Sequence, residues 1–241
     1  MSTYLKICQD VARECGIAGG ADASPKPLAV TGQVGELNRL VNWVQTAYTE
    51  LQNAKKWRFL RKKFTLNTVA GTDTYAFGDC TDVETTAAIT RFDSWRLNDR
   101  RNPPKIHLQS TGVGGQVFLS WTIWDNFEYL YKTSSLQNQT AFPFHITFDP
   151  DDDIVLGITP NDIYVVTGSY YRSPQILVAD ADIPEMPKQF HNLIMYQAME
   201  YYGLFESAPE IISRAQKGMK KLGHQLNKNQ SERFRVGGSL A

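Results

Sequence analysis

The sequence predicts an α+β protein: a helical bundle built from the N- and C-terminal segments, with an antiparallel β-sandwich or barrel-like domain inserted between them. Two patterns predict it. Apolar residues recur at helical spacing near both chain ends. Between residues 64 and 178 the apolar runs are short, rich in Thr, Val, Ile, Phe, Tyr and Trp, and split by Gly, Pro, Asn and Asp clusters. No helical stretches alternate with those strands in the βαβ manner, which points away from a parallel sheet. The expected division is 1–60 for the first helices, 61–182 for the β-rich domain, 183–226 for the last helices and 227–241 for an extended C-terminal arm.

In chain order, Ser2 or Thr3 can cap a first helix whose apolar face is Leu5, Ile7, Cys8, Val11, Ala12 and Cys15, with Gly16 as its stop. Residues 16–32 carry Gly, Pro, Ser and Asp without periodicity and read as a long loop. Thr31 is a candidate cap for a second helix from Gln33 to about Lys56, with Leu37, Leu40, Val41, Val44, Tyr48 and Leu51 as its stripe. Strand-like runs follow: Phe64–Val69, Thr74–Phe77, Ala88–Leu97, Phe144–Phe148, Ile154–Ile158 and Tyr164–Tyr171, with a short helix expected around Trp121–Tyr131. Pro187 suits the first position of a helix carrying Phe190, Leu193, Ile194, Ala198, Tyr201, Tyr202 and Phe205. Pro209 opens the last helix, with Ile211, Ile212, Ala215, Met219, Leu222 and Leu226 as its stripe. From Asn227 the chain is polar and basic, and a partner would be needed to order it.

At 241 residues the chain has room for one or two domains and a core that needs neither disulfide nor metal. Cys8, Cys15 and Cys80 are odd in number and form no C-x-x-C pair, so the expectation is buried thiols in a reducing compartment. The opening MSTYLKICQDVARE has no apolar core of a signal peptide, and no run is apolar enough for a membrane span. Lys and Arg total 25, as do Asp and Glu, which excludes a wholesale polyanion binder. Aromatic residues make up 12%, which suits a β-rich region or a large subunit interface.

The motifs point away from chemistry. Asp149-Pro150-Asp151-Asp152-Asp153 begins like a calcium loop, but its sixth and twelfth positions are Ile154 and Pro160 where such a loop needs Gly and Glu. An acidic turn is expected instead. Gly112-Val113-Gly114-Gly115 lacks the Lys-Ser/Thr of a phosphate loop. His107, His145, His191 and His224 have no metal-ligand spacing, and a G-x-S-x-G elbow is absent. No catalytic, cofactor or metal site is expected.

Charge is more telling than motif. Lys55, Lys56, Arg58, Arg61, Lys62 and Lys63 form a basic block interleaved with Trp57, Phe59 and Leu60. A second basic set runs from Arg214 to Arg235, and the segment 149–185 is mostly acidic. The basic block suits contact with DNA phosphates, or with the acidic edge of another copy. A β-sandwich module that binds carbohydrate through Trp95, Trp121, Trp124, Tyr129 and Tyr131 is the alternative.

Several segments carry a resemblance. They are YLKICQDVARECGIAGG at 4–20, Thr31-Gly32-Gln33-Val34-Gly35-Glu36-Leu37, Val41-Asn42-Trp43-Val44 and Trp57-Arg58-Phe59-Leu60. Further along are Tyr170-Tyr171-Arg172-Ser173-Pro174-Gln175, Phe190–Ala198, Tyr201-Tyr202-Gly203 and Ser207-Ala208-Pro209-Glu210. In this order they resemble the phage head-to-tail adaptor (connector) family, over most of the chain and least over 98–142. The resemblance implies a structural protein of the virion, assembled in the host cytoplasm. It implies a homo-oligomeric ring, usually of twelve copies, docked beneath the portal and offering a platform to the tail or nozzle. Genomic DNA would pass through the channel without sequence-specific binding. It also makes 227–241 a portal-binding arm, with Arg233, Phe234 and Arg235 as its candidate anchors.

Overall fold

The computed structural model describes residues 2–17, 26–137 and 139–231. The protein is α+β. Among the described residues it has five α-helices: α1 (Tyr4–Glu14), α2 (Gly35–Asn53), α3 (Trp124–Tyr131), α4 (Asn192–Phe205) and α5 (Pro209–Gln230). The chain divides into two compact units, a helical unit up to Phe59 and from Pro174 onward, and a β unit from Leu60 to Ser173. The return to the helical unit thus comes earlier than the 182/183 boundary expected. The reason lies in hydrogen bonds: Val30 N–H donates to Asp180 Oδ1 at 2.6 Å, and Tyr4 N–H donates to the Asp182 carbonyl at 2.8 Å.

In the helical unit, Thr3 caps α1 through its hydroxyl, which accepts from Lys6 N–H, and Gly16 at φ +75° turns the chain away at the other end. Most of the expected stripe is buried: Ile7, Cys8, Val11, Ala12 and Cys15 are within the core and Leu5 is half-buried, while Tyr4 joins them with its hydroxyl on the Val41 carbonyl. The α2 helix is shorter than the Gln33–Lys56 expected. Gly32 and Gly35 both have positive φ, so the turn before the helix takes longer, and Val34 sits at the cap in place of Thr31. At the far end the Trp57 indole donates to the Leu51 carbonyl at 2.6 Å, replacing the helical bond that residue 55 would have made.

The α4 helix packs against α1, α2 and α5. Two glycines permit its close pairing with α5. A Cβ at Gly203 would lie 2.8 Å from Ile212, and one at Gly218 would lie 2.7 Å from the Tyr196 ring. Pro209 does open α5, whereas Pro187 only precedes a short 3-10 turn, Lys188–Phe190, ahead of α4. The last helix also corrects the arm's expected start, since residues 227–230 are helical rather than extended.

The strands of the β unit are β1 (Arg61–Asn67), β2 (Thr74–Tyr75), β3 (Thr81–Asp82), β4 (Ser94–Arg96), β5 (Lys105–Leu108), β6 (Val117–Phe118), β7 (Ser120–Trp121), β8 (Thr140–Ala141), β9 (His145–Phe148), β10 (Ile154–Gly157), β11 (Thr159–Pro160) and β12 (Tyr164–Tyr171). A six-stranded sheet runs β3-β1-β12-β5-β6 with β4 also on β12, and every pairing in it is antiparallel. A four-stranded sheet runs β2-β10-β9-β7, and β8 pairs with β11. The sheets are open, not barrel-closed, and two pairings are parallel, β7 with β9 and β8 with β11. A parallel pair needs a long crossover. The stretch holding α3 supplies one, and the β9–β10 hairpin supplies the other. Side chains from both larger sheets share one core: Phe64, Leu66, Ile106, Val166 and Tyr170 from one, Tyr75, Ile146, Ile154 and Leu156 from the other. At about 1.5–3 kcal/mol for each large apolar side chain buried, this cluster is the main stabiliser of the β unit.

Candidate assembly surfaces

The basic block is divided by the fold. Lys55, Lys56 and Arg58 belong to the helical unit, and Arg61, Lys62 and Lys63 open the β unit. In the helical unit, Lys55 Nζ donates to Asn227 Oδ1 at 2.8 Å and lies over the Trp57 ring, 5.8 Å from its centre. Phe59 N–H donates to Gln230 Oε1 at 3.1 Å. The end of α5 is therefore fastened to the segment that follows α2. It reaches that segment because it has 22 residues against 14 in α4, an excess of about 12 Å of helix. Leu226 and Gln230, on this excess, are both buried. Arg233, Phe234 and Arg235 lie outside the described residues; the described chain stops at Ser231, one residue after Gln230.

In the β unit, strand alternation sorts the other half of the block. Phe64 and Leu66 face the core, so Arg61, Lys63 and Thr65 face the opposite side. Lys62 is paired with Glu84 at 2.5 Å. Behind this edge sits a carboxylate with four hydrogen bonds, that of Asp82. Asp82 Oδ2 accepts from the Tyr170 hydroxyl at 2.5 Å and from Arg172 Nη2 at 2.8 Å, while its Oδ1 accepts from Glu84 N–H at 2.8 Å and Thr85 N–H at 3.2 Å. Burial pushes its pKa up, but the four hydrogen bonds outweigh burial and hold it at about 2. Sequence reasoning missed this group, because its side-chain partners Tyr170 and Arg172 are 88 and 90 residues away.

The acidic stretch is divided as well. Asp180 and Asp182 serve the helical unit internally, and two N–H groups, of Val178 and Ala179, lower the Asp182 pKa against a smaller effect of burial. Asp149–Asp153 forms the turn between β9 and β10. Asp149 Oδ1 accepts from the N–H groups of Asp151 and Asp153, and Asp152 takes φ +65°. Among the described residues, no group of three or more His, Cys, Asp or Glu is placed to hold a metal ion.

The histidines do not converge. His145 Nδ1 meets the Tyr131 hydroxyl at 2.5 Å, and His191 Nε2 meets the Met186 carbonyl at 3.0 Å. His107 is buried, and its Nδ1 has no hydrogen-bond partner among the described residues. The thiols of Cys8, Cys15 and Cys80 are buried, and burial raises each to about 12. The aromatic set of the carbohydrate alternative is not a platform. Trp95 is only 7% exposed, in the core, with its indole N–H on the Asp152 carbonyl at 2.6 Å. Only Tyr129 of the five is well exposed, at 75%. An aromatic cluster lies on the helical unit: Phe205 packs on Trp43 with centroids 5.6 Å apart, and Arg39 covers it at 4.6 Å. No described helix is long and apolar enough to cross a membrane.

Compared with known proteins, the chain matches a family model described as SU10 adaptor protein over residues 2–239. No curated protein matches it.

Proposed function

Because the chain belongs to the SU10 adaptor protein family, a family of structural phage adaptors, we propose that it forms the head-to-tail adaptor ring of a virion beneath the portal. In this reading the ring extends the DNA channel and presents the platform on which the tail or nozzle assembles. The copies number about twelve, as the resemblance implies, and DNA slides through without sequence-specific grip. Assembly takes place in the host cytoplasm. The C-terminal segment, with Arg233, Phe234 and Arg235, is the arm that engages the portal. Lys55, Lys56, Arg58, Arg61, Lys62 and Lys63 face a neighbouring subunit or the passing DNA.

The observation that carries the reading is the extent of the family match, which takes in both units and almost the whole chain. A role exercised by shape also suits a molecule whose histidines are scattered and whose thiols are buried and protonated. The test is reconstitution. Mixed with its cognate portal, the full chain is expected to co-sediment and to show a ring coaxial with the portal in electron micrographs. A mixture that sediments as two separate species would end this reading.

A further inference from the structure

The face of the six-stranded sheet turned away from the core carries the side chains of Lys63 and Lys105. Register places Thr65 opposite Thr167, Thr167 opposite Lys105, and Lys63 opposite Ser169, so these side chains share that face. Lys63, Thr65, Lys105 and Thr167, with the amides of Asn102 and Gln116, line a groove of about 280 Å³. Neither Lys63 nor Lys105 is paired with a carboxylate among the described residues; Lys105 only approaches the ring of Phe118, which is 66% exposed. The groove thus holds two cations without counter-charge and an apolar rim.

The same unit carries the complement on its other side. Trp95, paired in register with Tyr170, lies on the core face of the sheet and holds the Asp152 carbonyl. The acidic β9–β10 turn is therefore anchored on the face opposite to the groove. None of the four aspartates Asp149, Asp151, Asp152 and Asp153 has a basic partner among the described residues. Asp153 is raised above the usual carboxylate range, first by burial and then by Asp149, Asp151, Asp79 and Asp152. A single copy cannot bring these two surfaces together.

We infer that the Lys63–Lys105 groove receives the Asp149–Asp153 turn of a second copy of this chain. The contact is head-to-tail, since different faces of the two copies meet, and such contacts either close into a ring or continue as a filament. Closure into a ring rests on the adaptor reading; the contact itself rests on register and charge.

Charge exchange tests it. Lys63→Glu and Asp151→Lys, each in the full chain, are expected to weaken self-association by about tenfold or more, as close interfacial charge pairs do. Sedimentation is measured alone and on portal, at low and moderate salt. The double variant Lys63→Glu/Asp151→Lys restores association, because both partners are then reversed. Circular dichroism checks that each variant is folded. If the wild type associates and neither single variant weakens it, or the double variant does not recover, the inference is overturned while the adaptor reading stands. Duplex DNA retained by the wild type and not by Lys63→Glu, with association unchanged, assigns the groove to nucleic acid and overturns it too. A wild type that never self-associates, with portal or without, removes both.

Discussion

At the scale of single residues, Asp82 ties the edge of the six-stranded sheet to β12. A carboxylate held at about 2 when folded, against an ordinary 3.8, stabilises the fold wherever the unfolded chain would be ionised. The sign is that of a depressed acid: the contribution is complete above about pH 4 and is lost as pH falls toward 2. Its size is about 2 kcal/mol, because each tenfold gain in acidity on folding is worth about 1.4 kcal/mol. Chemical denaturation between pH 7 and 2.5 is expected to show a loss of that order below pH 4, and Asp82→Asn is expected to flatten that part of the profile. The variant also removes the negative charge that accepts from Arg172 Nη2 and is expected to cost about 3 kcal/mol at pH 7. A variant as stable as the wild type at pH 7 would show that the network is not structural. None of this was legible in the sequence, because Asp82, Tyr170 and Arg172 meet only through the pairing of β1 with β3 and β12.

At the scale of elements, what was legible followed from periodicity. The apolar stripes of α1 and α2 became buried faces, with Leu40, Val44 and Ala47 fully enclosed. Burying an unpaired carboxylate there costs several kcal/mol, so Leu40→Asp is expected to abolish the cooperative melting of the helical unit by circular dichroism. Its exposed neighbour supplies the control, since Asn38→Asp should change stability by less than about 0.5 kcal/mol. A folded Leu40→Asp chain would mean that the α2 face is misassigned. Where periodicity failed, an unpatterned contact had decided. Trp57 ends α2 with its indole, Gly32 and Gly35 delay the start of α2, and the crossover through α3 makes β7 and β9 parallel. The charge blocks were legible as composition but not as surfaces. Residues 55–63 straddle the change of unit, and the groove face draws Lys63 and Lys105 together from strands 42 positions apart in sequence.

At the scale of the molecule, the end of α5 decides where the proposed arm begins. Polarity alone puts that point at Asn227, yet Asn227 accepts from Lys55 and Gln230 accepts from Phe59 N–H, so both belong to the helical unit. Two truncations separate the roles. Removing 232–241 leaves the contacts of α5 with Lys55 and Phe59 in place, and stability is expected to stay within about 0.5 kcal/mol of the full chain. Removing 227–241 deletes two hydrogen bonds and uncovers the segment beside Trp57. A loss of about 1–3 kcal/mol is expected in denaturant titration. Portal co-sedimentation is expected to fail for both, because both lack Arg233, Phe234 and Arg235. Equal stability of the two truncations would mean that the last turn of α5 does not hold the helical unit. Undiminished portal binding by the shorter deletion would transfer docking from the C-terminal segment to a surface of the folded units, of which the cluster of Arg39, Trp43 and Phe205 is the most aromatic on the helical side.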